Sequence, residues 1–218
     1  MNLFLIAWNL RDRRGLGGAV LDCGRAFRHL DSKNLREWRL GDIGWVACLP
    51  TSPDIAGPRE YTAETEKSAV FFDGLPWDRT GCLEAHRASD LLGQWDGLPE
   101  RLEGRYCLGR LTKNPPGIEV IIDPLGMCQV FVHCDGESWL VSNSLRLLET
   151  ITGASDWDPL GTSLYLSLGF AGGDRTLRHG IRVIPGGERW AWTTGRKEPG
   201  RDSYFSRRSL RGRPRRVS

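Results

Sequence analysis

The apolar positions of this chain fall in short blocks punctuated by Gly, Pro and Asp, and most blocks are too short for helices. Leu3 to Trp8 is an unbroken apolar run of strand length and predicts a buried first strand. Residues 9–41 are rich in Arg and Gly, with a candidate helix from Gly24 to Trp38. Ile43 to Leu49 predicts a second strand, closed by Pro50 and a Pro/Ser/Gly loop through Pro58. Ala69 to Phe72 predicts a third, running into a turn at Asp73-Gly74-Leu75-Pro76.

The period then changes. Ala85, Ala88, Leu91, Leu92 and Trp95 recur at steps of three and four, so residues 84–98 predict a helix ended by Gly97 and Pro99. Strands follow near 106–111, 118–122, 129–133 and 139–141, then a short helix over 144–151 stopped by Gly153. Asp158 is a candidate N-cap with Pro159 at the first helical position of a further helix. Residues 181–192 predict a turn and an exposed closing strand. From Lys197 onward periodicity is lost and the chain turns basic, which predicts disorder. The pattern alone predicts a strand-rich α+β fold.

Composition narrows the picture. With 39% apolar residues, nine Trp and seven Phe, the 218 residues can fill the core of one large domain. The net charge is +3, but residues 207–218 carry six Arg and no acid, so residues 1–206 sum to −3. A fold-wide nucleic-acid surface is not supported. The six Cys are scattered, with no C-x-x-C pair, which suits free thiols in a reducing cytoplasm. His29, His86, His133 and His179 have no ligand-like spacing, so no metal is expected. The apolar start lacks a basic leader, and no run approaches the ~20 residues needed to span a bilayer, so a cytoplasmic protein with no membrane contact is expected.

Several segments together carry a resemblance. Phe72-Asp-Gly-Leu-Pro is similar to an "F-N-G-E-I-Y" turn, and Ala88-Ser-Asp-Leu-Leu to an "x-S-D-x-E-V" helix start. Leu98-Pro-Glu-Arg-Leu-Glu-Gly-Arg-Tyr-Cys-Leu is similar to "L-x-x-L-x-G-x-F-A-F". Asp123-Pro-Leu-Gly and Ser142-Asn-Ser-Leu-Arg-Leu-Leu are similar to "R-D-P-x-G" and "F-A-S-E-x-K-A-L", and Arg175-Thr-Leu-Arg-His-Gly-Ile-Arg-Val-Ile-Pro-Gly-Gly to "R-T-x-F-x-G-I-x-x-L-P-P-G". In this order and spacing, residues 68–195 resemble the glutamine amidotransferase domain of the asparagine synthetase family, a class II domain with an N-terminal nucleophile. The resemblance implies a four-layer α-β-β-α sandwich of the Ntn-hydrolase type over residues 1–196. Residues 197–218 would then be a basic tail leading into the lost linker to a synthetase domain. Either an out-of-frame or truncated origin or a functional basic tail fits that segment.

The chemistry of that family needs a Cys thiolate at the mature N-terminus, with its own amine as base. Here Asn2 stands in its place, and a carboxamide is no nucleophile at neutral pH. No catalytic residue is therefore expected. Asp73 and Gly74 stand where the resemblance puts an oxyanion-binding Asn-Gly pair, and a carboxylate there repels developing negative charge. Leu75 replaces a carboxylate, while Ser89 and Asp90 survive as a pair able to hold an α-ammonium or simply to cap the helix. Asp73, Gly74, Ser89 and Asp90 thus outline a vestigial substrate pocket, with no cofactor implied. Degenerate domains of this kind resemble those of lasso-peptide cyclases and β-lactam synthetases, where peptide macrocyclisation or amide formation is carried out by the ATP-pyrophosphatase-type half.

The expected function is accordingly an inactive scaffold domain beside such a synthetase domain or separate chain. The alternatives are the glutaminase domain of a glutamine-hydrolysing asparagine synthetase, or a stand-alone binding partner of a separate synthetase chain. The aromatics Trp157, Phe170, Trp190 and Trp192 are candidates for a partner-seeking face or for core packing. Gly172-Gly-Asp174 reads as a surface turn rather than a pyrophosphate loop. Cys128, Cys134 and His133 read as strand packing.

Overall fold

The computed structural model describes residues 2–10, 12–52, 60–79 and 87–205. Its first half runs β1 (Leu3–Trp8), α1 (Leu16–Arg25), β2 (Arg36–Leu40), β3 (Gly44–Leu49), β4 (Thr62–Glu64), β5 (Ser68–Asp78), α2 (Ala88–Gly93) and α3 (Leu98–Arg101). Then come β6 (Leu102–Lys113), β7 (Pro116–Ile122), β8 (Phe131–Asp135), β9 (Ser138–Ser142), α4 (Leu145–Thr152), α5 (Pro159–Leu168), β10 (Ile181–Val183), β11 (Glu188–Thr193) and β12 (Gly200–Ser203). The strands form two six-stranded antiparallel sheets, in the orders β10-β8-β9-β1-β3-β2 and β12-β11-β7-β6-β5-β4.

Period-two alternation assigns the two faces of each sheet. In β1, Phe4, Ile6 and Trp8 face the second sheet, whereas Leu3, Leu5 and Ala7 face outward onto α1 and α4. In β5, Ala69 and Phe71 face inward, and Val70 and Phe72 face out toward α2 and α3, where Leu91, Trp95 and Leu98 cover them. The chain is therefore a four-layer α-β-β-α sandwich. Because every β1 side chain is buried on one face or the other, its apolar run cannot alternate with polar residues.

Several expectations are corrected. The first helix is Leu16–Arg25, not Gly24 to Trp38. Asp31 turns the chain locally by accepting from Lys33 N at 3.0 Å, and β2 begins soon after. At Gly24 the helix lies so close to β3 that an added Cβ would sit 2.2 Å from Leu49 Cδ2. The expected turn at Asp73–Pro76 is a kink within β5, which stays paired with β6 from Ser68↔Thr112 to Asp78↔Leu102.

The expected 84–98 helix is split among the described residues into α2 and α3, separated by Gly97 in the left-handed region; residues 84–86 lie outside them. Trp190 and Trp192 are buried, and with Trp139 they close one end of the space between the sheets, their ring centroids 6.0–6.4 Å apart. The closing strand is thus a core strand. The boundary expected at 196 falls too early. β12 pairs with β11, and the Tyr204 hydroxyl donates to the Ile122 carbonyl. Residues 206–218, with most of the basic tail, lie outside the described residues, as do Met1, Cys82 and His86.

Candidate functional site

Four segments meet where β1 begins. Asn2 precedes β1, Thr51 follows β3, Asp73-Gly74 kinks β5, and Asn143 follows β9. The kink requires glycine: Gly74 has φ +99°, and a Cβ there would lie 2.2 Å from the Arg105 carbonyl oxygen. It aims the Asp73 carboxylate at the start of β1.

Asn2 is completely buried, and both ends of its side-chain amide are engaged. Nδ2 donates to the Phe72 carbonyl at 2.5 Å, and Oδ1 accepts from Thr51 N at 2.8 Å and Thr51 Oγ1 at 3.0 Å. Its backbone N–H donates to Asp73 Oδ1 at 2.8 Å. Its carbonyl accepts from Asn143 Nδ2 at 2.6 Å, and that nitrogen also lies 3.2 Å from Asp73 Oδ2. Asn143 Oδ1 in turn accepts from Phe4 N at 3.1 Å. A closed hydrogen-bond knot fills the position, satisfying groups that would be costly to bury unpaired.

A thiol stands beside this knot. Asp123, itself fully buried, accepts backbone N–H bonds from Leu125 (3.1 Å), Met127 (3.0 Å) and Cys128 (2.8 Å) and so shapes the 123–128 loop. The loop presents Cys128, whose Sγ donates to Asp73 Oδ2 at 3.6 Å. Burial, followed by the negative charge of Asp73, pushes the Cys128 thiol far up from its ordinary value. Burial and then Asp73 do the same to Cys48. Burial also raises Cys107. Thiolates, and hence sulfur nucleophiles, are suppressed around Asp73. Outside the knot lies a depression of ≈ 290 Å³, lined among others by Asp73, Arg105, Met127, Cys128, Phe131 and Asn143.

Of the residues expected to outline a pocket, Asp73 and Gly74 are brought together, beside Asn2. Ser89 and Asp90 are not part of that cluster: Ser89 Oγ donates to Glu60 Oε2 at 2.6 Å and lines a different depression with Arg36 and Trp38. Neither caps α2, whose N-cap position is Arg87, with no side-chain cap hydrogen bond. Thr51, Asn143 and Cys128 were missed as site residues. Asn143 sits inside the Ser142-Asn-Ser segment, and that was its only signal. Thr51 looked like the start of a Pro/Ser loop.

Trp157 and Phe170 are exposed, whereas Trp190 and Trp192 are core. Cys134 is exposed, and His133 Nδ1 lies 3.0 Å from the Gly180 carbonyl oxygen. Among the described residues no three His, Cys, Asp or Glu side chains are grouped to hold a metal ion, and no helix is long and apolar enough to cross a membrane.

No protein-family profile matches the chain, and no curated protein matches it by sequence. Its fold does match solved structures. One is described as glutamine phosphoribosylpyrophosphate amidotransferase from B. subtilis complexed with ADP and GMP, at 10% identity with a TM-score of 0.52, covering 94% of this chain and 49% of that one. Another is described as the allosteric regulatory enzyme of purine biosynthesis, at 10% identity with a TM-score of 0.51 and the same coverage. The chain spans about half the length of these solved chains. The likeness gives it the fold of an Ntn-type, class II glutamine amidotransferase domain.

Proposed function

We propose that this chain is a catalytically silent amidotransferase-like domain, a scaffold beside an ATP-pyrophosphatase-type synthetase that forms amide bonds and belongs to the asparagine-synthetase-related group. The observation that carries the reading is the state of Asn2. It occupies the position where that chemistry needs a thiolate and a free amine, and it spends its amide on Phe72 and Thr51. Its N–H points into the Asp73 carboxylate, and that carboxylate would oppose an oxyanion forming nearby. The short motif series in residues 68–195 supports the asparagine-synthetase relation. That the chain spans 49% of the first structure it resembles is compatible with a second half, carried in the same polypeptide or as a separate chain. Soluble, cytoplasmic work beside that synthetase half completes the proposal.

Incubating the purified chain with L-glutamine and measuring glutamate release tests it. The expected result is no release above a protein-free blank, with no gain in Asn2→Cys because Asp73 still faces the site. Glutamate release by the native chain, lost in Cys128→Ala, would transfer the chemistry to that thiol and sink the scaffold reading.

A further inference from the structure

At the end of the inter-sheet space where Trp139 and Trp190 stand, the two sheets part around a cavity of ≈ 410 Å³. It shares no lining residue with the depression beside Asn2. Strand register says which side chains enter it, because directly paired residues share a face of the sheet. In the first sheet Arg182 pairs with Val132, and Cys134 with Trp139. In the second, Arg201 pairs with Trp190, which lies two positions from Glu188. Val132, Trp139 and Trp190 belong to the inter-sheet core, so Arg182, Cys134, Arg201 and Glu188 point inward with them. Partial desolvation, Asp135 and Glu198 push the Cys134 thiol up, and the charge of Arg201 opposes them. The two walls are thus close enough to feel one another.

The inward-facing charges are unequally matched. Arg182 has an acid, Asp174, at 3.4 Å. Arg201 and Glu188 are in no ion pair among the described residues. Arg201 lies 4.1 Å over the Trp190 ring, and Glu188 Oε2 accepts from Trp190 Nε1 at 2.7 Å. One indole therefore holds a base over its face and an acid at its nitrogen, and the two do not meet. By the same alternation the Asp202 side chain faces away from the cavity, on the side where its pairing partner Arg189 reaches Glu119.

We propose that this cavity binds a small zwitterion of the α-amino-acid type. The ligand carboxylate meets the Arg201 guanidinium, whose planar fork suits it. The ammonium meets Glu188, and the apolar side chain lies toward Val132 and Pro185. Charge selects this class. A simple anion would engage Arg201 with Glu188 opposing it, and a simple cation would do the reverse; a ligand with one charge of each sign completes both. The volume is in the range of small-molecule sites. Protection of sheet edges is a rival account of Arg182 and Arg201, since β10 and β12 are outermost strands. It does not account for Glu188, on β11 between two neighbouring strands. The proposal is independent of whether the Asn2 site is silent.

Isothermal titration calorimetry of the full 218-residue chain with L-leucine and L-phenylalanine tests it. At least one is expected to bind with a dissociation constant below about 1 mM. The deaminated acid and the decarboxylated amine of that same ligand, each with one charge, bind at least about tenfold more weakly, and so do Arg201→Gln and Glu188→Gln toward the amino acid itself. The exposed Cys134 on the cavity wall gives a second readout: the bound amino acid slows its alkylation by iodoacetamide. The analogue and alkylation measurements use the native chain, so they stand even where a variant misfolds. Failure of both amino acids to bind below that value overturns the inference. So does equal binding of a one-charge analogue, or binding that leaves Cys134 as reactive as before.

Discussion

Replacing Asn2 by Ala tests whether the start of β1 is a closed knot or an open pocket. The substitution removes the donor to the Phe72 carbonyl and the acceptor for both Thr51 N–H and Thr51 O–H, all in a site with no solvent exposure at Asn2. Each buried polar group left short of a partner costs about 1–3 kcal/mol. The freed space is about the volume of one water, which can take over one or two of these bonds. The net loss should be about 3 kcal/mol, a large share of the ~5–15 kcal/mol of a typical domain.

Urea unfolding at pH 7, followed by tryptophan fluorescence, measures this as a fall in midpoint at constant slope. Asn2→Asp sharpens the test. Its carboxylate keeps the two Thr51 donors but turns an oxygen toward the Phe72 carbonyl and lies near Asp73. Burial and Asp73 would raise its folded pKa above the unfolded ~3.9. The penalty should therefore be small below about pH 4 and grow as pH rises toward the raised folded value. A loss under about 1 kcal/mol in Asn2→Ala, or a pH-independent penalty in Asn2→Asp, would refute the closed-knot reasoning.

Gly74→Ala should destabilise by roughly 3 kcal/mol or more, or abolish soluble folding, because it combines φ +99° with a Cβ 2.2 Å from the Arg105 carbonyl oxygen; thermal unfolding checks it. Peptide mapping after brief iodoacetamide treatment at pH 8 should find the exposed Cys134 alkylated and the buried Cys128, Cys107 and Cys48 spared until the protein unfolds. At Glu119, burial raises the carboxyl, but hydrogen bonds from Arg110 and Trp95 and the charges of Arg110 and Arg189 outweigh it and leave it below its ordinary value. The stability it contributes is full above the unfolded pKa and lost as pH falls through the lower folded one. Glu119→Gln should therefore show a flatter decline in urea midpoint than the native chain between pH 5 and about pH 3.

What was legible in the sequence follows from how local each signal is. The β1 run and the Asp158-Pro159 helix start are written in consecutive residues, and Asp158 Oδ1 indeed accepts from Gly161 N. β2, β4 and β12 escaped because they are short edge strands with charged faces, and only pairing with a neighbour makes them strands. For Trp190 and Trp192 the local pattern left a partner-seeking face and core packing both open, and the second sheet turns both inward. At the site, Asn2 stood out by the residue it replaces. Thr51 reaches it across 49 positions of sequence, and Cys128 reaches Asp73 across 55, a closeness that only the stacked sheets create.

The short strand β12 has a practical corollary. Cutting the chain at residue 196, where composition changes, would strip the edge of β11, a strand carrying Trp190 and Trp192, and would remove Tyr204 from the Ile122 carbonyl. The bared ladder would be a ready template for amyloid-like stacking. Expression trials should keep at least Phe205, and the charged pair Arg201 and Asp202 on the outermost strand would then act as the gatekeepers against aggregation.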